Sequence, residues 1–163
     1  MNGIKLALRT LHHGERDLVD DLMKLSERHR TEHEIHHVAT DVAIWSREHV
    51  QRLADTATHY DLDLDGPPGN SSPGLFAALR KKASEVTGNR PEPGLLLLRD
   101  LRETHLAATY NSLHWEMLAQ AAQASKDTRL LALASSCHPR TLRQMRWTNT
   151  MIKNLSPQLL TSL

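Results

Sequence analysis

LLLLRDLRETHLAATYNSLHWEMLAQAAQA, residues 95–124, contains neither glycine nor proline and carries apolar residues at helical spacing from end to end. Pro91 and Pro93 break the chain just before it, so the pattern predicts a long helix from about 93 to 124. One apolar stripe runs through Leu95, Leu106, Leu113 and Met117, and another through Leu97, Leu101, Ala108 and Trp115. The sector between them holds Leu98, Arg102, His105, Thr109, Ser112 and Glu116, a polar centre for a face that reads as buried.

Working outward, Asp127 reads as the cap of a further long helix that Ser156-Pro157 stops and that Pro139 kinks near its middle. Its inward positions read as Leu130, Ala134, Cys137, Thr141, Met145, Thr148, Ile152 and Leu155, with His138 on the margin. Toward the amino terminus, Ile4, Leu8, Leu11, Leu18, Leu22 and Leu25 draw one stripe along a helix from about 3 to 30. Thr31-Glu32-His33-Glu34 then reads as a capping box opening a second helix from about 32 to 60, with Ile35, Ala39, Val42, Ser46, His49 and Leu53 inward.

Residues 61–74, DLDLDGPPGNSSPG, are dense in turn formers, and a short helix is expected over about 73–87, closed by Gly88. Four long helices of similar length, roughly 40 to 48 Å each, favour an all-α four-helix bundle. The first two helices and the last two can form only antiparallel hairpins, which leaves segment 61–92 as a long crossover within one domain spanning 1–163.

Composition narrows the function. At 163 residues, with 39% hydrophobic and 24% charged residues, the chain is long enough for its own core. A formal net charge of +1 and an aromatic content of 4% argue against nucleic-acid binding. Cys137 is the only cysteine, so no internal disulfide can form and a cytoplasmic location is expected. The apolar start MNGIKLALRTLHHGE is interrupted by Arg9, His12 and His13, unlike a secretory signal, and no run is long enough to span a membrane. No nucleophile elbow or phosphate-binding glycine loop is present.

Glu15 sits in the middle of the first stripe, one turn from Leu11 and from Leu18, and so should be buried. A buried carboxylate needs a positive partner, a donor or a metal. His49 falls within about one turn of the same level across the hairpin. Glu15 is therefore either one half of a structural pair, with Arg102 or a histidine, or a metal ligand together with His49, His105 and His138. His29, His33 and His37 recur at four-residue spacing across the first turn and read as a solvated, pH-sensitive cluster. Glu34 and His37 have the spacing that shares a helix face, but the capping box already accounts for Glu34. Arg140, Arg143 and Arg146 beside Trp147 read as a solvated outer face, and the apolar tail 158–163 as a segment docking on its own bundle or on a second subunit.

The two hairpins, the long crossover, Glu15 at mid-helix and the stretch LRDLRETHLAATYNSLHWEMLAQAAQASKDTRLLALASSCHPRTLRQMRW resemble the ferritin-like superfamily, in particular uncharacterised bacterial members. The resemblance implies a metal centre in the bundle core, with a glutamate from the first and third helices and an E-x-x-H from the second and fourth. This chain departs from that pattern: Glu48-His49 are adjacent, His105 or Thr109 stands on the third helix, and His138 or Thr141 on the fourth. What the resemblance leaves is a histidine-richer site for one iron or zinc ion, or a non-catalytic interaction module that has lost the ligands. A homo-oligomer is expected in either case.

Overall fold

The computed structural model describes residues 3–67 and 92–162, and within them the chain is all-helical. Helix α1 spans Gly3–Arg28, α2 His33–Ala57, α3 Pro93–Ala124 and α4 Thr128–Thr161, with a 3₁₀ turn over Thr58–Tyr60. The four long helices pack together: α1 lies against α2 and α3, and α4 lies against α3 and more lightly against α2. The extra helix expected over 73–87 lies outside the described residues.

Three expectations about helix ends change. The α1–α2 turn closes through backbone bonds, Glu32 N–H to His29 O at 3.0 Å and His36 N–H to Glu32 O at 2.9 Å. The N-cap of α2 is Glu32, without a side-chain cap, because Thr31 stands one residue too early to form the capping box. Helix α2 gives way to the 3₁₀ turn after Ala57 and ends at Asp61, whose left-handed backbone (φ 53°) lets the Leu62 N–H return to Ala57 O at 3.1 Å. Ser156-Pro157 does not stop α4, which runs on to Thr161. Proline costs that helix one backbone bond, whereas continuing it packs Leu155 and Leu159 against the core. Leu159 lies so close to Gly94 of α3 that a Cβ there would meet its Cδ2 at 2.7 Å.

The cap of α4 holds as read, the Asp127 carboxylate accepting from Leu130 N–H at 3.1 Å. The same carboxylate accepts from Tyr60 O–H at 2.6 Å, tying the end of α2 to the α3–α4 turn. Those bonds hold the Asp127 carboxyl below its usual range, while burial and the Asp127 charge push the Tyr60 hydroxyl up to about 12. At the far end, Asp100 near the start of α3 joins Arg28 and His29 beside the α1–α2 turn. The end of α2 and the start of α3 therefore lie at opposite ends of the bundle.

The core is two apolar clusters. One, at the Tyr60 end, is built from residues such as Leu8, Leu53, Trp115, Leu118 and Leu130. The other, at the Asp100 end, holds Leu18, Leu22, Ile35, Leu101 and Met151 among others. Between them lies a layer of buried polar residues: Glu15, Ser46, His49, Asn111, Ser112, Thr141 and Gln144. Every long helix contributes to that layer.

Candidate functional site

The polar layer is organised around Glu15, which is fully buried. Its Oε1 accepts from His49 Nδ1 at 3.1 Å and from the indole Nε1–H of Trp115 at 2.9 Å, so one oxygen joins α1, α2 and α3. The Trp115 ring stands edge-on to His49 with centroids 5.8 Å apart, which fixes the imidazole plane. Burial alone would push His49 down, but the sulfur of Cys137 and the Glu15 carboxylate outweigh it and hold the imidazole up at about 9. Cys137 thus lies beside the ring, although Nε2 makes no hydrogen bond of ordinary geometry.

Glu15 Oε2 and His49 Nε2 have no hydrogen-bond partner in the protein, and neither do both amide atoms of Asn111 nor Gln144 Oε1. These atoms come from α1, α2, α3 and α4, one residue from each. Asn111 is held against α1, where a Cβ on Gly14 would meet its Oδ1 at 2.1 Å, so the close approach requires glycine. Gln144 is anchored by its amide nitrogen, which donates to Val42 O and Ser46 Oγ at 2.9 Å each. Leaving such atoms unpaired costs about 1–3 kcal/mol each, which makes this layer the most exceptional part of the core.

Of the residues singled out from the sequence, the structure brings Glu15 and His49 together. His105 lies nearer the start of α3, its Nδ1 2.8 Å from Thr148 Oγ1. His138 pairs through Nε2 with Ser112 Oγ at 2.9 Å and faces Glu116 at 3.7 Å through Nδ1. Among the described residues, no three His, Cys, Asp or Glu side chains gather in metal-binding geometry. Arg102 does not reach Glu15: it is exposed and pairs with its neighbour Glu103 at 3.0 Å. Thr109 bonds His105 O instead.

The histidines at the first turn also separate. His29 turns inward to Asp100 Oδ2 at 2.8 Å, whereas the His33 and His37 rings stack on the outside with centroids 6.3 Å apart. Arg140 reaches Glu48 and lies 6.0 Å from the centre of the Trp45 ring. A groove of about 550 Å³ between α1 and α3 is lined by Asp21, Lys24, Arg28, Arg99 and Glu103. Burial pushes Asp21 there up to about 6, opposed by Lys24 and reinforced by Asp17, Asp20 and Glu103.

Trp115, Asn111 and Gln144 were missed as members of the site. Asn111 does continue the buried row Leu97, Leu101, Thr104, Ala108, Asn111, Trp115, whose spacing was the available signal. No protein-family model, curated protein or solved structure matches this chain. No helix among the described residues is long and apolar enough to cross a membrane.

Proposed function

We propose that this chain is a ferritin-like bundle whose central polar layer holds one transition-metal ion, with His49 as the primary ligand. The observation that carries the reading is the set of unpartnered buried polar atoms contributed by Glu15, His49, Asn111 and Gln144, one residue from each long helix. His49 Nδ1 is engaged by Glu15, so a metal would take Nε2 in place of the proton held there, and Glu15 would then be the carboxylate that orients the ring. Cys137, beside that ring, would add a sulfur donor, and the amide oxygens of Asn111 and Gln144 are the further candidate donors of the layer. Imidazole with sulfur favours zinc, while the oxygen donors also suit ferrous iron. A bound ion would act as a Lewis acid or redox centre in a water-poor interior. His105 and His138 would join only by giving up Thr148 and Ser112. One buried free cysteine fits a reducing, cytoplasmic setting.

A second reading is a non-catalytic helical module. It is favoured by the fact that the Glu15 carboxylate already has an imidazole and an indole donor within the protein. Ordered water would then satisfy the remaining atoms. Titration with cobalt(II), a coloured stand-in for zinc, separates the two. The metal reading expects saturation near one ion per chain, a ligand-field spectrum lost in His49→Gln, and a sulfur-to-metal band lost in Cys137→Ser. A folded protein that stays colourless at excess cobalt sinks it and leaves the module.

A further inference from the structure

Four histidines stand at the α1–α2 turn, and the structure spends them unequally. His29 is taken by Asp100 at 2.8 Å, and His36 donates from Nδ1 to Ser26 O at 2.9 Å. His33 and His37 are exposed, and neither ring has a hydrogen-bond partner among the described residues. They lie one helical turn apart on α2, their planes within 9° of parallel and their centroids 6.3 Å apart. The anchored His36 ring stands against His37 at 5.1 Å. Glu34 falls between the two exposed histidines in sequence. The capping box that would have engaged it does not form, and its exposed carboxylate has no partner among the described residues. His33-Glu34-Ile35-His36-His37 therefore presents the H-E-x-x-H spacing, which sets two imidazoles and a carboxylate on one helix face.

We propose that His33 and His37 form a second metal site, on the outside of the bundle and independent of the central layer, for one divalent transition-metal ion such as zinc. Neutral imidazole is a ligand such ions favour, and rings four residues apart on a helix can share one ion. Two rings on one tetrahedral ion have centroids about 5 Å apart, so this pair has only about 1 Å to close from 6.3 Å. Exposed side chains make that adjustment by small rotations. No third protein ligand joins them among the described residues, so water completes the shell, with Glu34 beside it as an acceptor. The positive end of α2 opposes a cation by about 0.3–1 kcal/mol, and the carboxylates of Glu32 and Glu34 at that end offset it. Two protein ligands make a weaker site than the three or four of a closed zinc centre. An ion held there exchanges with solvent and leaves on dialysis, unlike one sealed in the central layer.

Calorimetric titration of the full chain with zinc tests this, in a His49→Gln background that takes the central layer out of play. One zinc per chain is expected to bind with micromolar affinity. Adding His33→Ala or His37→Ala should abolish that binding while circular dichroism shows the protein still helical. Glu34→Gln should weaken it roughly tenfold, and His13→Ala, at another exposed histidine, should leave it unchanged. Wild type gives a check that does not depend on His49→Gln: the zinc it releases on dialysis should fall by one ion per chain in His33→Ala. Loss of this exterior ion and loss of the central one are therefore read separately. A folded His49→Gln protein that takes up no zinc overturns the proposal, as does binding that survives the removal of His33 or His37. An affinity indifferent to Glu34→Gln would strike that carboxylate from the site.

Discussion

Two carboxylate–histidine pairs are buried within this bundle, and they are built on opposite plans. At the open end, Asp100 uses both oxygens: Oδ1 faces Arg28 at 3.1 Å and Arg99 at 3.5 Å, and Oδ2 takes His29 at 2.8 Å. At mid-bundle, Glu15 concentrates His49 and Trp115 on Oε1 and leaves Oε2 without a partner. The first pair is saturated by protein and edged by solvent, with Asp100 side-chain exposure at 10%. The second is sealed, with Glu15 at 0% and His49 at 1%. The difference separates a structural clasp from a candidate binding centre, since residue types are alike and only the unspent hydrogen-bonding capacity differs.

Removing one partner should show the contrast most strongly. Glu15→Ala strands a buried imidazole and the Trp115 N–H, and should cost about 3–5 kcal/mol; Asp100→Ala, whose partners can reach water, should cost about 1–3 kcal/mol. Chemical denaturation of both variants checks the order, and equal losses would erase the distinction.

Acidity gives the next largest effect, with opposite signs. His49 is held above its unfolded value of 6.5, so the stabilisation it contributes is complete below that pH and is lost as pH rises through about 9. That loss should amount to about 3 kcal/mol at most. For Asp100, burial raises the carboxyl but His29, Arg28 and Arg99 outweigh it and hold it below 3.8, so its contribution is present above that pH and is lost as pH falls. Melting curves should therefore show an alkaline decline that disappears in His49→Gln and an acid decline that lessens in Asp100→Asn. An alkaline decline that persists in His49→Gln would contradict the assignment.

Smaller effects sharpen the picture. Gly14→Ala should cost about 1–3 kcal/mol by driving Asn111 from its place, read as a lowered melting temperature. Arg102→Ala, at an exposed pair, should change stability by no more than about 0.5 kcal/mol, read by chemical denaturation.

Much of the helical layout was legible because long helices announce themselves by period and by breakers. The start and end of α3 at Pro93 and Ala124 and the Asp127 cap of α4 follow directly from such signals. The continuation of α4 through Pro157 was not legible, since it depends on what Leu155 and Leu159 find on the neighbouring helices. Glu15 and His49 could be set at one level by counting from the turn. The rotation of α3 about its axis could not, because that helix is apolar on two faces and periodicity cannot say which one is inside. The polar sector between the two stripes sets Arg102 toward Glu15, whereas the row through Asn111 and Trp115 is the buried one. Gln144 was missed for a similar reason, as the buried row of α4 runs through Thr141, Gln144, Thr148 and Met151 rather than through Met145 and Ile152.

The claim that the central layer holds a metal is tested most directly by metal content per chain, measured by plasma mass spectrometry on untagged protein, wild type and His49→Gln, after loading with zinc or anaerobic ferrous iron and dialysis. Close to one ion per wild-type chain, lost in a His49→Gln protein that stays folded, is the predicted result. A folded wild-type protein that emerges free of metal would contradict it, and the polar layer would then stand as a hydrogen-bonded core feature alone.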